Sequence, residues 1–286
     1  MNAKLNYLLT CASKLATKDR FYCPSCGFEE AETVSRKYVV TSLRRCARCA
    51  LLFRAPTTTS AENATFYQES YRQGFTSDTP TDEALRELLA KNFAGSEKDY
   101  TTYIKVLAAL GGNPGDRLLD FGCSWGYGSW QLKKHGYDVV AFEISKPRCR
   151  YAREKLNVAA RDNLDDLTEN GFDIFFSAHV LEHVPAIADV FAYAQKKLKK
   201  GGLFLAFTPN GSEAYRSRPD GSWNQLWNMV HPNFLDDQFY KKAFPNVLLA
   251  SDPYDYTMIS QRWSNGKMSP ALKLDGEELM AAVKIG

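Results

Sequence analysis

The sequence predicts an α/β protein whose larger part is a doubly wound, mostly parallel sheet, with a small ribbon in front of it. The main observation is the run RLLDFGCSWGYGSW at positions 117–130. It passes from a short apolar segment into glycines and then into a helix-compatible segment, a pattern typical of the ligand-binding turn after a first strand. The second observation is a pair of Cys-x2-Cys motifs, 19 residues apart, near the amino terminus.

Length and composition agree with one large domain and one small one. The chain has 286 residues, of which 44% are hydrophobic, and a formal net charge of +3. This charge gives little support to a broad nucleic-acid-binding surface. We expect a soluble, cytoplasmic protein, because the sequence has no apolar run of about eighteen residues and no leader pattern. The predicted divisions are an N-terminal helix (1–20), the ribbon (21–55), a linker with a helical lid (56–110), a core (111–265) and a C-terminal tail (266–286).

The two cysteine motifs predict a structural zinc site. Four thiolates close the coordination shell of Zn²⁺ and leave no position for a reacting water. About thirty residues cannot bury an adequate core alone, so the metal is expected to fold this segment. Two disulfides are the alternative, but a chain without a secretory signal does not favour them. The predicted zinc ligands are Cys23, Cys26, Cys46 and Cys49, while Cys11, Cys123 and Cys149 have no paired spacing.

The segment between the ribbon and the core contains an aromatic cluster, FYQESYRQGF, followed by two helix-like stretches. We expect this region to form a lid at the carboxyl edge of the sheet. In a lid, Phe66, Tyr67, Tyr71 and Phe75 would close over a ligand; the alternative is that they pack against the core.

Glycines in the opening run allow a sharp turn and a close approach of a ligand to backbone amides. They are Gly122, Gly126 and Gly128, and Ser124 stands between them. A dinucleotide-binding G-x-G-x-x-G motif is excluded, because Ser124 occupies the place of its second glycine. A P-loop is excluded as well, because no Gly-Lys-Ser/Thr sequence follows.

Strand-like and helix-like segments alternate after this turn. β-Branched and aromatic residues mark strands at 138–144, 172–178 and 202–210, and helical patterns lie at 147–156 and 186–200. This alternation predicts parallel strands joined by right-handed crossovers.

Four segments of the core together resemble the class I S-adenosylmethionine (SAM) dependent methyltransferases, over roughly residues 94–263. They are LLDFGCSWGYGSW, VVAFEIS, FDIFFSAHVLEHV and GGLFLAFTPN. The resemblance implies SAM as the methyl donor and a Rossmann-like sheet of seven strands. Ser124 departs from the family pattern, because many members have glycine there.

The residues themselves agree with a SAM pocket. Glu143 follows Asp120 by 23 positions and ends the second strand, so its carboxylate is placed to accept both ribose hydroxyls. The resemblance puts Asn163 and Leu164, after the third strand, beside the adenine. The complete set of expected cofactor contacts is Asp120, Gly122, Cys123, Ser124, Gly126, Tyr127, Glu143, Ile144, Asn163, Leu164, Ser177 and His179.

Chemistry is expected at HVLEHV, residues 179–184, which leaves the fourth strand at its carboxyl end. H-x-x-E-H is also the inverted form of the zinc-protease signature. In those proteases the motif lies on a helix, whereas here it follows a buried strand and Pro185 comes soon after it. In ubiquinone-type O-methyltransferases this position resembles E-x-x-E-H and binds a divalent ion. His179, Glu182 and His183 are therefore a candidate metal site. The alternative is that Glu182 caps the next helix and His183 packs in the core.

A hydroxyl acceptor would benefit from a base with a pKa near neutrality, as histidine has. The candidates are His179, His183 and His231, and His179 is preferred because it lies nearest the strand end. His231 belongs to a long loop at 211–235, which is expected to set acceptor choice. Segments 246–254 and 256–263 should then supply the last two strands. The loop also contains Tyr215, Arg216, Arg218, Trp223 and Trp227.

The order of ribbon, core and loop resembles methyltransferases of bacterial sugar and surface-polysaccharide pathways. This resemblance implies O-methylation of a sugar or polysaccharide-pathway hydroxyl on a small-molecule or glycan acceptor. Trp223 and Trp227 would then stack on the acceptor; the alternative is that they pack the loop onto the core. Two alternatives stay open. One is an RNA base methyltransferase, and the other is a SAM-binding interaction protein with little or no catalysis, whose ribbon docks a partner.

Overall fold

The computed structural model describes residues 3–65, 78–265 and 272–285. The aromatic residues expected in a lid, Phe66, Tyr67, Tyr71 and Phe75, lie outside these ranges. Within the described ranges, no helix is long and apolar enough to cross a bilayer.

The amino-terminal part is an antiparallel ribbon preceded by a helix and followed by three more. In the ribbon, β2 pairs with both β1 and β3, so that Cys46 lies opposite Ala31 and Ser42 lies opposite Ala55. One of the later helices begins at Asp82, because the Thr81 hydroxyl accepts a hydrogen bond from the Ala84 amide. The elements are α1 (Ala3–Ser13), β1 (Ala31–Lys37), β2 (Thr41–Cys46), β3 (Leu52–Ala55), α2 (Ser60–Thr65), α3 (Asp82–Ala90) and α4 (Thr101–Ala109).

Seven of the eight remaining strands in the described residues form one sheet with helices on both faces, which confirms the predicted fold class. The strand order is β10-β11-β8-β7-β4-β5-β6, and only β11 runs antiparallel to its neighbours. The elements are β4 (Arg117–Phe121), α5 (Tyr127–Lys134), β5 (Asp138–Phe142), α6 (Lys146–Leu156), β6 (Ala159–Arg161), β7 (Phe172–Ala178), α7 (Ile187–Lys197), β8 (Leu198–Pro209), α8 (Glu213–Arg216), β9 (Asn233–Phe234), α9 (Asp237–Ala243), β10 (Leu248–Ser251), α10 (Tyr256–Asn265) and β11 (Glu278–Ile285).

Alternate residues of the central strands face two separate apolar layers. On β8, Phe204 and Ala206 pack with α7 and α9, whereas Leu205 and Phe207 pack on the opposite side with α4 and α10. Helix α4, which was expected to be part of a lid, therefore belongs to the core, because Val106 and its neighbours are buried under the sheet.

The prediction of a C-terminal tail at 266–286 is wrong for its last part. Strand β11 lies between β8 and β10, and Leu279, Met280, Ala281 and Ala282 are completely buried. A continuous apolar run is typical of a strand that is covered on both faces. The expected strand at 256–263 is instead the helix α10, which buries Ile259 and leaves Met258 exposed.

The helix predicted at 186–200 is shorter than expected. Helix α7 ends at Lys197, and β8 begins at the next residue. Lys196 and Lys197 lie in the last helical turn, where positive charges stabilise the helix dipole. Lys199 belongs to the strand β8 and forms an ion pair with Asp173 over 2.8 Å, so its charge does not stabilise the dipole of α7.

The long loop at 211–235 contributes a fourth strand to the ribbon. In β9, Phe234 pairs with Leu52 and Asn233 pairs with Phe53. Just beyond it, the buried Asp236 caps α9 and accepts an ion pair from Arg45 at 2.7 Å. The ribbon is therefore attached to the same chain segment that bears His231.

Candidate functional site

The turn after β4 has the left-handed backbone that its sequence suggested. Gly122 and Gly126 have φ values of +90° and +91°, and Ser124 has +53°. Side chains other than glycine seldom adopt this region, which explains why glycine is favoured at the Ser124 position. The amides of Gly122 and Cys123 both donate to the Phe142 carbonyl, which ties this turn to the end of β5.

The glycines of this turn also have packing roles that the sequence did not reveal. A Cβ on Gly128 would lie 2.2 Å from the Tyr100 ring, and one on Gly126 would lie 2.8 Å from the Ala152 Cβ. A Cβ on Gly122 would come 2.3 Å from Val180, in the loop after β7. Gly122 therefore lets the turn after β4 and the loop after β7 meet at the carboxyl edge of the sheet.

Glu143 is held at the end of β5 by two backbone amides. Its Oε2 accepts a hydrogen bond from Ser124 over 2.9 Å, and its Oε1 accepts one from Ser145 over 2.8 Å. Burial raises the pKa of Glu143, although these amides favour the charged form. A carboxylate fixed in this way keeps lone pairs for further donors, which suits the predicted contact with ribose hydroxyls. Ile144, next in the chain, exposes 37% of its surface.

The two residues expected beside adenine form a turn after β6. Asn163 accepts a hydrogen bond from the Asp165 amide over 3.1 Å and so caps a short 3-10 helix. The Leu164 carbonyl accepts from the Tyr193 hydroxyl at 2.9 Å. These contacts fix the shape of the turn, and its contact with adenine stays a prediction.

Several other expected cofactor contacts are buried in the protein. Asp120 accepts a hydrogen bond from the Ser129 hydroxyl at 2.5 Å, and burial raises its pKa to about 7. Cys123 and Ser177 are also buried, while Tyr127 packs on Trp125 at a ring-centroid distance of 4.9 Å. Through Ser129, Asp120 therefore joins the end of β4 to helix α5.

His179 is held between two carboxylates. Its Nε2 donates to Oε2 of Glu278 over 2.6 Å, and its Nδ1 lies 3.6 Å from Oε1 of Glu182. Desolvation works in the opposite direction, but the two carboxylates raise the pKa of His179 to about 10. A histidine that keeps its proton at neutral pH cannot accept one, so this arrangement argues against His179 as the base.

Sequence reasoning missed Glu278, because this residue was assigned to the tail. It accepts hydrogen bonds from the hydroxyls of Tyr103 and Tyr254, each at 2.7 Å, in addition to the bond from His179. The apolar run that follows Glu278 was the available signal, since such a run is typical of a buried strand.

The structure brings together Glu182, His183 and His231 instead of the expected metal set of His179, Glu182 and His183. One ligand atom of each of these three lies within 4.8 Å of the others. The two imidazole rings are 4.5 Å apart, centroid to centroid. Desolvation lowers the pKa of His183 to about 4, so that this ring is neutral at pH 7. Glu182 does not cap α7, whose N-cap, Ala186, forms no side-chain hydrogen bond.

The four cysteines of the ribbon have the arrangement that tetrahedral zinc requires. Sγ of Cys23 lies 3.5 Å from Sγ of Cys49, and Cys26 lies 3.6 Å from Cys46. A disulfide needs about 2.05 Å, whereas Zn–S bonds of about 2.3 Å place neighbouring sulfurs nearly 4 Å apart. All seven cysteines are free thiols, so disulfides do not form the ribbon. The residues therefore fit Zn²⁺.

The tryptophans of the loop at 211–235 pack against the ribbon. Trp227 is completely buried with Leu43, and the ammonium of Lys37 lies 4.1 Å from its ring centroid. Trp223 stacks on Phe234 with an interplanar angle of 9°. The expectation that both rings stack on an acceptor is therefore wrong for Trp227, and Trp223 has a protein partner already.

Comparison with known proteins identifies the central part of the chain. Residues 119–206 match the family model of a methyltransferase domain. A ubiquinone biosynthesis O-methyltransferase of Alkalilimnicola ehrlichii is 32% identical over 114 residues, 37% of this chain and 46% of that protein. A probable fatty acid methyltransferase of Mycobacterium tuberculosis is 28% identical over 113 residues, 36% of this chain and 26% of that protein. The chain thus spans less than half the length of either relative.

Among solved structures, geranyl diphosphate C-methyltransferase from Streptomyces coelicolor has the same fold. It was solved with Mg²⁺, geranyl diphosphate and S-adenosyl-L-homocysteine. The TM-score is 0.52 and the identity 14%, and the match covers 79% of this chain and 98% of that chain. The predicted methyltransferase fold is confirmed: the chain contains a methyltransferase domain at residues 119–206 and has the fold of the class I SAM-dependent methyltransferases.

Proposed function

We propose that this protein transfers the methyl group of SAM to a hydroxyl oxygen of a small acceptor molecule. The observation that carries this proposal is the position of Glu143. Its carboxylate is fixed by the Ser124 and Ser145 amides, next to the glycine turn and at the carboxyl edge of the sheet. Ligands of open α/β sheets bind in the crevice outside this edge.

Methyl transfer requires little covalent help from the protein. The sulfonium of SAM is already an activated donor, so the site mainly aligns the acceptor oxygen with the methyl carbon and excludes water. The hydroxyl proton of the acceptor must leave during the reaction. The proposed proton acceptor belongs to the cluster of Glu182, His183 and His231, and the first two of these follow Val180, which contacts Gly122. Oxygen is the proposed acceptor atom because the relatives include O-methyltransferases of ubiquinone biosynthesis.

The proposed acceptor is a small molecule with a hydroxyl group and need not be a sugar or a glycan. The sugar expectation came from the order of ribbon, core and loop. Stacking by Trp223 and Trp227 would have supported it, but both rings pack within the protein. An RNA acceptor is not favoured, because the net charge of +3 gives little support to a broad phosphate-binding surface. The cytoplasm is the proposed compartment, since free thiols persist there, and Zn²⁺ is the proposed ion of the ribbon.

The direct test is incubation of the full chain with methyl-labelled SAM and a panel of acceptors. The panel should contain phenols and catechols, nucleotide sugars, fatty acids and RNA. We expect labelled product from at least one hydroxyl compound, with the label in a methyl ether. Labelling of RNA alone, or of fatty-acid carbon alone, would contradict the proposed O-methylation.

A further inference from the structure

We propose that Lys37 is a site of Nε-acylation by activated acyl groups such as acyl phosphates, and that acylation loosens the loop that bears His231. Lys37 ends β1 and comes immediately before the tip of the first hairpin, where Tyr38 and Val39 expose 52% and 93% of their surface. A reagent in solution can therefore reach this end of the ribbon. Neither step involves SAM, so the proposal does not depend on the proposed methyl transfer.

The amine of Lys37 is held against one residue of the loop at 211–235. Its Nζ donates a hydrogen bond to the Trp227 carbonyl over 2.6 Å and lies 4.1 Å from the centroid of the Trp227 ring. That ring is completely buried and packs with Leu43 and Phe234. The contact joins the end of β1 to a loop residue 190 positions further along the chain.

The charge of this amine lacks a counter-ion. Within the part of the chain that the structure describes, Lys37 forms no ion pair with a carboxylate. The Trp227 carbonyl does not replace one, since a carbonyl accepts a hydrogen bond from a neutral amine as well as from an ammonium. Removing an ammonium from water without a counter-ion disfavours its charged form, and burial lowers the pKa of Lys37 to about 8.

A lysine in this environment is a nucleophile near neutral pH. With a pKa of about 8, about one tenth of the side chain is free amine at pH 7, against roughly one part in 2,500 for an ordinary lysine. The lone pair of Nζ attacks the acyl carbon, the bond from that carbon to the phosphate oxygen breaks, and an amide forms. The departing phosphate takes up the proton that Nζ loses.

Acylation removes the charge that lies over the Trp227 ring and adds a bulky group beside a buried side chain. The hydrogen-bonded turn that contains His231 follows directly. The Leu226 carbonyl accepts a hydrogen bond from Nδ1 of His231 over 2.7 Å. The amides of Val230 and His231 donate to Oδ1 of Asn228 over 2.9 and 3.2 Å. A displaced Trp227 therefore disturbs the turn that places His231.

The first test is the rate at which individual lysines of the full chain are acylated. Wild-type protein is incubated with acetyl phosphate, and peptide mass spectrometry follows acetyl-lysine over time. We expect Lys37 to react at least roughly tenfold faster than Lys284, because its gain in free amine exceeds its loss of basicity. Lys284 is the matched control: it lies near the end of β11 with its Nζ 5.4 Å from the Trp263 ring, but it is exposed.

The second test is the effect of the acyl group on the loop. Acetyl-lysine is incorporated in place of Lys37, or in place of Lys284, by codon suppression, and amide hydrogen exchange is measured for residues 226–231. We expect exchange to be at least roughly tenfold faster with the acetyl group on Lys37 and unchanged with it on Lys284. Lys37→Arg keeps a cation for the Trp227 ring and should exchange like the wild type.

Equal acetylation rates of Lys37 and Lys284 would overturn the proposal, and so would unchanged exchange at residues 226–231 in protein acetylated at Lys37. Far-UV circular dichroism reports whether that protein is folded. If it does not fold, the rates measured on wild-type protein still decide whether Lys37 is the preferred site. Absence of methyl transfer to every acceptor would count against the proposed function and leave both measurements standing.

Discussion

His179 donates a hydrogen bond from Nε2 to Oε2 of Glu278 over 2.6 Å, although 99 positions separate the two residues. The bond joins the loop after β7 to the start of β11. Tyr103 of α4 and Tyr254 donate to the same carboxylate. Glu278 thus gathers three donors from three parts of the chain at the carboxyl edge of the sheet.

Loss of this carboxylate should impair catalysis more than cofactor binding. Glu278→Ala releases His179 and with it the loop that carries Glu182 and His183, so we expect kcat to fall roughly tenfold or more through misplacement of that loop, while the SAM affinity changes little. The exposed neighbour Glu277→Gln is the control and should behave like the wild type. Equal loss of SAM affinity and kcat would show that Glu278 supports the whole fold and does not position His179.

The ribbon should depend on the proposed Zn²⁺. Cys26→Ser removes one of four thiolates, so we expect loss of the ribbon zinc and a melting temperature that falls by several degrees. Zinc content by mass spectrometry and thermal unfolding measure both effects. Cys149→Ser, at a buried thiol of α6, should keep its zinc. Full zinc content in Cys26→Ser would mean that the ribbon does not bind the metal through four cysteines.

Gly128 should tolerate no side chain. A Cβ there would lie 2.2 Å from the Tyr100 ring, which is itself buried. We expect Gly128→Ala to reduce the free energy of unfolding by about 1–3 kcal/mol, the usual range for overpacking. Urea unfolding measures the change. In a Tyr100→Leu background the same substitution should cost less, and equal costs in both backgrounds would show that the two residues are not coupled.

Glu62 should make stability depend on acid pH. It accepts hydrogen bonds from Lys14, Arg20 and the Thr59 amide. Burial opposes the shift, but these partners lower the pKa of Glu62 from 4.5 to about 2. A lowered carboxyl pKa gives stability that is complete above 4.5 and is lost as the pH falls toward 2. The effect is modest, since the side chain is 36% exposed.

Unfolding measured across this pH window should show a shallower decline in Glu62→Gln than in the wild type. The variant has no carboxyl group to titrate, so its stability should change less between pH 4.5 and 2. Parallel curves for the two proteins would contradict the ion-pair assignment.

Local patterns predicted much of the fold, including the turn and the strand end where a SAM pocket is proposed. The cysteine spacing, the glycine turn and the strand-end position of Glu143 are each read from a few neighbouring residues, and the structure has each where it was expected. For Gly128, the sequence predicted the sharp turn but not the close approach to Tyr100, because that contact depends on packing between distant segments.

The acceptor side depends on pairings that no local pattern contains. His231 joins Glu182 and His183 because β9 pairs with the ribbon, and a two-residue strand has no recognisable periodicity. Glu278 reaches His179 because β11 inserts between two other strands. The pattern of apolar and polar residues in α10 is compatible with either a strand or a helix. Packing against α4 favours the helix.

Calorimetric titration with SAM tests the central claim most directly. We compare the wild type with Glu143→Gln and with Asp138→Asn, which changes an exposed carboxylate at the opposite end of the same strand. We expect the wild type and Asp138→Asn to bind SAM with similar affinity. Glu143→Gln should bind at least roughly tenfold more weakly, because a charge-assisted pair of hydrogen bonds is lost. Unchanged affinity in Glu143→Gln, or no SAM binding by the wild type, would contradict this claim.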